Sequence, residues 1–446
     1  MALNGLRICW GGVKVEGGKR LECGEPVDDP RTIEEVNRLI NEFMRRVERH
    51  KDVLLSESTT PFDKAINELS NWLALMETKV KETSDEGIIR MRRAMINIGR
   101  KMLQLARQAR KKWLKTYRRE LEELIEKLRR SETTIIVRGE AFNKNKSFTA
   151  HLYTKHLSIV ISRVAESGSV TVRIVMTGLR GGINVVTPRL FGDNVLKPMQ
   201  YGLMMTDGGA IDEYGYPIMG TDHLWQSIIW VLLWPGRNHI HVTSLSLNMN
   251  DVNITWKLKA VDHKNDVESK DRVAEEVSKK FNDDEFSIFL MAATLGGDGR
   301  IYVKEIHRFI SIAIGYSKFK LWGGDIVKRM VGLGFRHREG RGAKVYTING
   351  SKAVVLARKW LADQTIKVLI EDLSLLFDAN KLRNLITLAN AKVKSKGRFS
   401  IEIITGVKMN VHVDIYGYVE LVVLRKSSRT PRQFGKHCVM LGIMLS

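Results

Sequence analysis

Cysteine is scarce in this sequence of 446 residues, where Cys9, Cys23 and Cys438 are the whole set. Three thiols, odd in number and far apart along the chain, exclude the disulfide framework of a secreted domain and favour a reducing compartment. Long apolar runs are missing too. The longest, Leu224 to Pro235, contains Gln226 and Ser227 and falls short of the roughly 20 residues a membrane span needs, so no membrane partner is expected. Residues Met1 to Gly5 lack the basic and apolar regions of a signal peptide, which makes the cytoplasm the expected location. Glutamine occurs only at positions 104, 108, 200, 226, 364 and 433. Its scarcity beside abundant Lys and Glu fits a hot habitat. Acidic residues are also in short supply: 50 Asp and Glu face 72 Lys and Arg, a net charge of +22. Acidic substrates or partners are expected from that imbalance. With 43% hydrophobic and 27% charged residues the chain is not generally disordered.

The chain begins with helical periodicity. Asp29-Pro30 offers a cap with proline at the first helical position, and Ile33, Val36, Ile40, Phe43 and Val47 share one face. Thr60-Pro61 repeats that start, with Phe62, Ala65, Leu69, Leu73 and Met76 as the stripe. Thr83 and Glu86 have capping-box spacing, and Ile88, Met91, Met95, Ile98, Met102, Leu105, Ala109 and Trp113 predict one long helix over 83–130. Its outer face is basic, including Arg90, Arg92, Arg93, Arg100, Arg107, Arg110, Lys111 and Lys112. That face suits either phosphate contact or plain solvation, and the apolar stripe suits a partner within the chain or a second copy in a homodimer.

From Thr133 to Val186 the period becomes two, which predicts a small sheet. Two later segments then resemble each other. Gln200-Tyr201-Gly202-Leu203-Met204-Met205-Thr206-Asp207-Gly208 and Met291-Ala292-Ala293-Thr294-Leu295-Gly296-Gly297-Asp298-Gly299 each read as a short apolar helix stopping at Asp-Gly before a strand. Gly202 with Thr206, and Ala293 with Gly297, put small residues at i and i+4, so the two helices can pack backbone to backbone. Gly208 and Gly299 are expected in the left-handed conformation that ends a helix. A carboxylate at a helix C-terminus is unfavourable unless a cation is near, and Asp207 and Asp298 together suit Mg²⁺, or Mn²⁺, held jointly with phosphate oxygens. Both copies continue with the order αββαββ, the final helix being clearest in the second.

On these nonamers and this element order, the chain resembles the LAGLIDADG homing endonucleases in their single-chain, two-repeat form. The resemblance spans about Asn194 to Leu375. The eighth position, which binds metal in the family, is Asp207 and Asp298; the sixth, acidic in the naming motif, is Met205 and Gly296. Tyr201-Gly202-Leu203-Met204 and Tyr214-Gly215-Tyr216-Pro217 also resemble a repeat family of hyperthermophilic crenarchaea. The first resemblance implies two helices at the centre of a pseudo-symmetric domain, two curved sheets forming a DNA saddle, and a lysine completing each active centre. Ser317-Lys318 stands in that place in the second repeat, and Thr221-Asp222-His223 in the first.

The expectation is therefore an α+β protein: a helical region at 1–132, a small β-rich segment at 133–190, LAGLIDADG-like repeats of order αββαββα at 191–275 and 276–375, and a C-terminal hairpin with a basic tail at 376–446. Function is expected to be double-stranded DNA binding. Asp207, Asp298 and Lys318 are the expected catalytic residues if site-specific cleavage, or nicking alone, is retained. Nucleic-acid contacts are expected from Arg300, Lys304, Arg308, Lys320, Arg336, Arg338, Arg341 and Lys344, those of the 336–344 hairpin to phosphate or to base edges in the groove. Residues 201–236 hold no Lys or Arg, which counts against a complete first centre. The alternatives are an RNA-binding, splicing-assisting protein and a scaffold dimerising through the 83–130 helix.

Overall fold

The computed structural model describes residues 6–14, 20–143, 145–165, 167–177, 179, 181–209, 215–267, 269–297, 299–304, 307–340, 342–393, 399–404, 407–413 and 419–423. The chain forms two compact units, Met1–Ala391 and Lys392–Ser446. The first opens on two strands that periodicity does not predict, β1 (Arg7–Lys14) and β2 (Arg20–Pro26). Cys9 and Cys23, expected as separate thiols, form a disulfide between them with Cα atoms 5.4 Å apart.

The helical region follows: α1 (Pro30–Arg49), α2 (Lys51–Leu54), α3 (Asp63–Lys81) and α4 (Glu86–Lys112), a π-helical turn over Trp113–Tyr117, and α5 (Arg118–Arg129). The expected long helix is thus helical throughout, with one widened turn. Its cap is Asp85, which accepts from the Ile88 amide at 2.9 Å, and not the expected Thr83. The apolar stripe of α4 is buried inside the chain, where Gly99 lets Trp72 and Leu73 of α3 approach closely. Nothing of that stripe remains to pair with a second copy.

The β-rich segment supplies β3 (Thr134–Gly139), β4 (Phe148–Tyr153), β5 (Leu157–Arg163), β6 (Val170–Met176) and β7 (Ile183–Thr187). The first repeat is α6 (Asp193–Met205), β8 (Gly208–Gly209), β9 (Ile218–Thr221), α7 (Leu224–Leu233), β10 (Gly236–Leu247), β11 (Val252–Ala260) and α8 (Lys270–Lys280). The second is α9 (Asp283–Gly296), β12 (Gly299–Lys304), β13 (His307–Gly315), α10 (Tyr316–Gly332), β14 (Arg336–Gly340), β15 (Ala343–Asn349) and α11 (Gly350–Trp360). Helices α12 (Gln364–Leu373) and α13 (Asn380–Asn390) close the unit.

One eleven-stranded sheet runs through both the β-rich segment and the first repeat, in the order β2-β1-β3-β4-β5-β6-β10-β11-β9-β8, with β7 also on β10. Strand β10 meets β7 along 236–240 and β6 along 244–246, and a bulge at Val242/Ser244 separates the two pairings. The second repeat has its own sheet, β12-β13-β15-β14. Within the repeats the four strands take the same order: first, second, fourth, third. No helix among the described residues is long and apolar enough to cross a membrane.

The second unit is described by itself as an antiparallel meander of β16 (Phe399–Ile404), β17 (Val407–Val413) and β18 (Val419–Val423), with Val411 opposite Leu421. The turn between β17 and β18 and the basic tail lie outside the described residues.

Candidate nucleic-acid interface

The seam between α6 and α9 is built from small residues. A Cβ on Gly202 would meet the Phe289 carbonyl at 2.5 Å, the Ala292 Cβ at 2.6 Å and the Ala293 nitrogen at 2.7 Å, and one on Gly296 would meet Thr206 Oγ1 at 2.5 Å. Both contacts advance in the same direction, so the helices are parallel and end side by side. The Asp207 carboxylate lies against Gly297. Asp298, the expected second carboxylate, is outside the described residues.

Gly208 and Gly299 have no left-handed backbone, contrary to expectation. Each is needed for a different reason: the chain leaves the helix pressed against its own last turn. A Cβ on Gly208 would sit 2.9 Å from the Leu203 carbonyl and Met204 Cα, and one on Gly299 would fall on Thr294.

The carbonyls at these helix ends have donors that local sequence does not reveal. The Lys270 ammonium, in the first turn of α8, donates to the Thr206 carbonyl at 3.1 Å. Lys381 of α13 donates to the Gly297 carbonyl at 3.0 Å, with Thr294 and Leu295 carbonyls at 3.4 Å. Gln226 of α7 donates to the Gly296 carbonyl at 2.8 Å, and its own amide oxygen accepts from Thr221. The cation that a helix C-terminus favours is therefore an ammonium group at each end. Among the described residues no group of three or more His, Cys, Asp or Glu is placed to hold a metal ion.

A groove of about 540 Å³ opens beside the α6 end, lined by Thr206 and Asp207, by Lys270, by Lys257 of β11 and by Arg173 of β6. It faces the open side of the large sheet. Along β10 and β11 the buried residues Ile240, Val242, Ile254, Trp256 and Leu258 point to the helices. Arg237, His239, His241, Thr243, Thr255, Lys257 and Lys259 alternate with them onto the opposite face. The first half therefore does carry positive charge, on strands that lie beyond the Lys- and Arg-free stretch 201–236. Burial holds His241 down to about 4, helped by neighbouring His239, Lys257 and Lys259. Burial first, then Arg138, brings His151 on β4 down to about 4 as well.

Strand register sorts the residues expected in the second half. Arg300 opposes Ser311, Lys304 opposes His307, Arg336 opposes Thr347 and Arg338 opposes Val345. These lie on the open face, since Ile301, Ile310, Ile312 and Ile348 fill the other. Arg308 opposes Val303, and Lys344 opposes Ile314 and Glu339, so both belong to the helix-covered face. The Lys344 ammonium sits 4.0 Å from the Phe319 ring centroid. Charge alone grouped them with the other four; strand parity separates them. Lys318 is part-buried in the first turn of α10, directly after β13, and Lys320 is exposed on the same helix. Arg341 lies outside the described residues.

In the first repeat, His223 stands at the N-cap of α7. Asp378 accepts from the Leu224 amide at 2.7 Å and lies 3.4 Å from His223 Nδ1. Asp222 accepts from Thr255 at 2.7 Å. These residues hold local structure. The basic face of α4 is likewise partly consumed: Arg92 is buried against Asp372 at 2.7 Å, while Arg110 pairs with Asp63 at 2.5 Å and Arg100 with Glu77 at 2.7 Å.

No family model matches the chain. No curated protein matches it either. Among solved structures, the N-terminal LAGLIDADG domain of DUF199/WhiA is similar at 12% identity, over 40% of this chain and 88% of that one, with a TM-score of 0.27. Full-length DUF199/WhiA from Thermatoga maritima is similar at 13% identity, over 45% of this chain and 68% of that one, also with a TM-score of 0.27.

Proposed function

We propose that the two repeats form a LAGLIDADG-like saddle and that the chain binds double-stranded DNA on the open faces of the two repeat sheets. The observation that carries this reading is the shared strand order of two sheets that leave one parallel helix seam, each with arginine and lysine on its open face. Lys257, Lys259 and Arg173 would track phosphates on one side, and Arg300, Lys304, Arg336 and Arg338 on the other.

Cleavage is not part of the proposal. A divalent ion such as Mg²⁺ or Mn²⁺ would need Asp207, Asp298 and carbonyl oxygens of the helix ends. Those carbonyls already accept from Lys270, Lys381 and Gln226. Two ammonium groups repel a dication, so the donor set does not fit the metal and no hydrolytic step is assigned to it.

Fluorescence anisotropy with labelled duplex DNA and a structured RNA of equal length, at several salt concentrations, tests the proposal. Duplex DNA is expected to bind with a steep salt dependence, alike in Mg²⁺ and in EDTA. Tighter binding of the RNA at every salt concentration would replace this reading with the RNA-binding one. Cutting of DNA in Mg²⁺ would overturn the assignment of the helix ends.

A further inference from the structure

Strand register on the second sheet brings two aromatic rings together on its open face. Tyr302 of β12 is directly opposite Phe309 of β13. Their centroids are 5.1 Å apart and their planes 20° from parallel. The Arg300 guanidinium lies 5.3 Å from the Tyr302 centroid and 5.8 Å from that of Phe309. Both rings are part-exposed, and neither packs into the hydrophobic core. A cross-strand aromatic pair stabilises a hairpin by itself. That alone leaves the setting unexplained: Arg300 and Lys304 flank the pair on β12, Arg336 and Arg338 stand on the same face two strands away, and among the described residues of these four strands no carboxylate shares that face, because Glu339 points to the other side.

We infer that Tyr302, Phe309 and Arg300 form a stacking platform for an unpaired base of a nucleic acid whose backbone is held by Lys304 beside the pair and by Arg336 and Arg338 farther across the same face. The inference rests on the nucleic-acid reading above and narrows its substrate to one with an extruded, bulged or single-stranded nucleotide. A ring face accepts any base, and a positive rim selects a polyanion over a neutral apolar partner. A fully paired duplex keeps its bases stacked on one another and offers such a platform nothing.

The test uses the full chain and three probes: a paired duplex, the same duplex with one central bulged 2-aminopurine, and a single strand of the same length. The bulged probe is expected to bind at least about 5-fold more tightly than the paired one, the low end of what base–aromatic stacking supplies. Its 2-aminopurine fluorescence should change on binding. The double variant Tyr302→Ala, Phe309→Ala should lose that preference while keeping its affinity for the paired duplex, and Tyr302→Phe should retain the preference. Equal binding of bulged and paired probes by the native chain, with no fluorescence change, would overturn the inference and leave duplex binding intact. Polyglutamate competing as well as the oligonucleotides would reduce the face to charge alone and overturn it too. Failure of all three probes to bind at low salt would instead remove the nucleic-acid reading itself.

Discussion

The two repeats share a strand order but not a setting. In the first, β10 is paired on its outer side by β6 and β7 and becomes an interior strand of an eleven-stranded sheet. In the second, the equivalent strand β14 is an edge, with Arg336, His337, Arg338 and Glu339 all exposed. An interior strand has both rows of backbone groups satisfied, whereas an edge strand presents one row to solvent and is guarded by charge. The lesson concerns where charge can be placed. The first half spreads it over a broad, fixed surface that borrows Arg173 from a strand outside the repeat. The second concentrates it on a hairpin held from one side.

The largest effect that tests this contrast comes from the N-terminal helices, which pack α4 onto β7, β10 and α7 of the first half. Helix α4 is also tied to α12 by Arg92 and the fully buried Asp372, with Lys79 at 3.3 Å from the same carboxylate. Removing one partner leaves an uncompensated buried charge, so Asp372→Ala is expected to cost about 3–5 kcal/mol in chemical denaturation. A change below about 1 kcal/mol would mean that water already reaches this pair.

Next is the seam that both halves share. Gly202→Ala puts a methyl group onto Phe289 and Ala293 backbone atoms that cannot move aside as a flexible side chain does. A loss of about 1–3 kcal/mol is expected from such overpacking. Gly220, on the open face of β9 with nothing within 4 Å of a Cβ, is the matched control and should tolerate alanine. Equal losses at the two positions would mean that the helices do not pack through their small faces.

Smaller in energy but sharper is the comparison of faces. Replacing Arg300, Arg336 and Arg338 by glutamine should flatten the salt dependence of duplex binding by a slope of about 0.9 for each phosphate that is no longer neutralised. Replacing Lys257 and Lys259 should do the same from the other sheet. Replacing Arg308 and Lys344, on the covered face, should leave that slope unchanged. If these last two mattered most, the faces would be assigned the wrong way round.

Much of the repeat architecture was legible because its signals are local. Gly202, Thr206, Ala293 and Gly297 announce two packable helix faces, and equal spacing to Asp207 and Asp298 announces their register. Lys257 and Lys259 were legible as well, in the alternation Thr255-Trp256-Lys257-Leu258-Lys259, but counting charge only within 201–236 passed over them. Arg308 was misplaced for the same reason: its parity against Ile310 is visible in the sequence, while its charge says nothing about direction. Lys270 and Lys381 are different. They reach the seam from 64 residues beyond Thr206 and 84 residues beyond Gly297, and no local period encodes that approach. The parallel pairing of β1 with β3 is similarly out of reach, because it joins Cys9 to Ile136 across the whole helical region.

The smallest expected effect concerns two half-buried histidines on the open face of the first sheet. His241 and His151 are held down to about 4 in the folded protein, whereas an unfolded histidine titrates near 6.5. Above about pH 6.5 both states are neutral at these positions and the histidines make no pH-dependent contribution. As the pH falls from there towards 4, the unfolded chain binds protons that the folded chain refuses, so stability falls across that window. Below about pH 4 the difference stops growing. Urea midpoints of the native chain and of His241→Asn should therefore diverge between pH 6.5 and 4.5, the variant losing less. Duplex DNA, whose phosphates favour the imidazolium, should oppose the shift, giving tighter binding at pH 5.5 than at pH 7.5 and less of that gain in the variant. Identical pH profiles for the two proteins, free and bound, would mean that His241 stands in open solvent, leaving His151 as the half-buried histidine of that face.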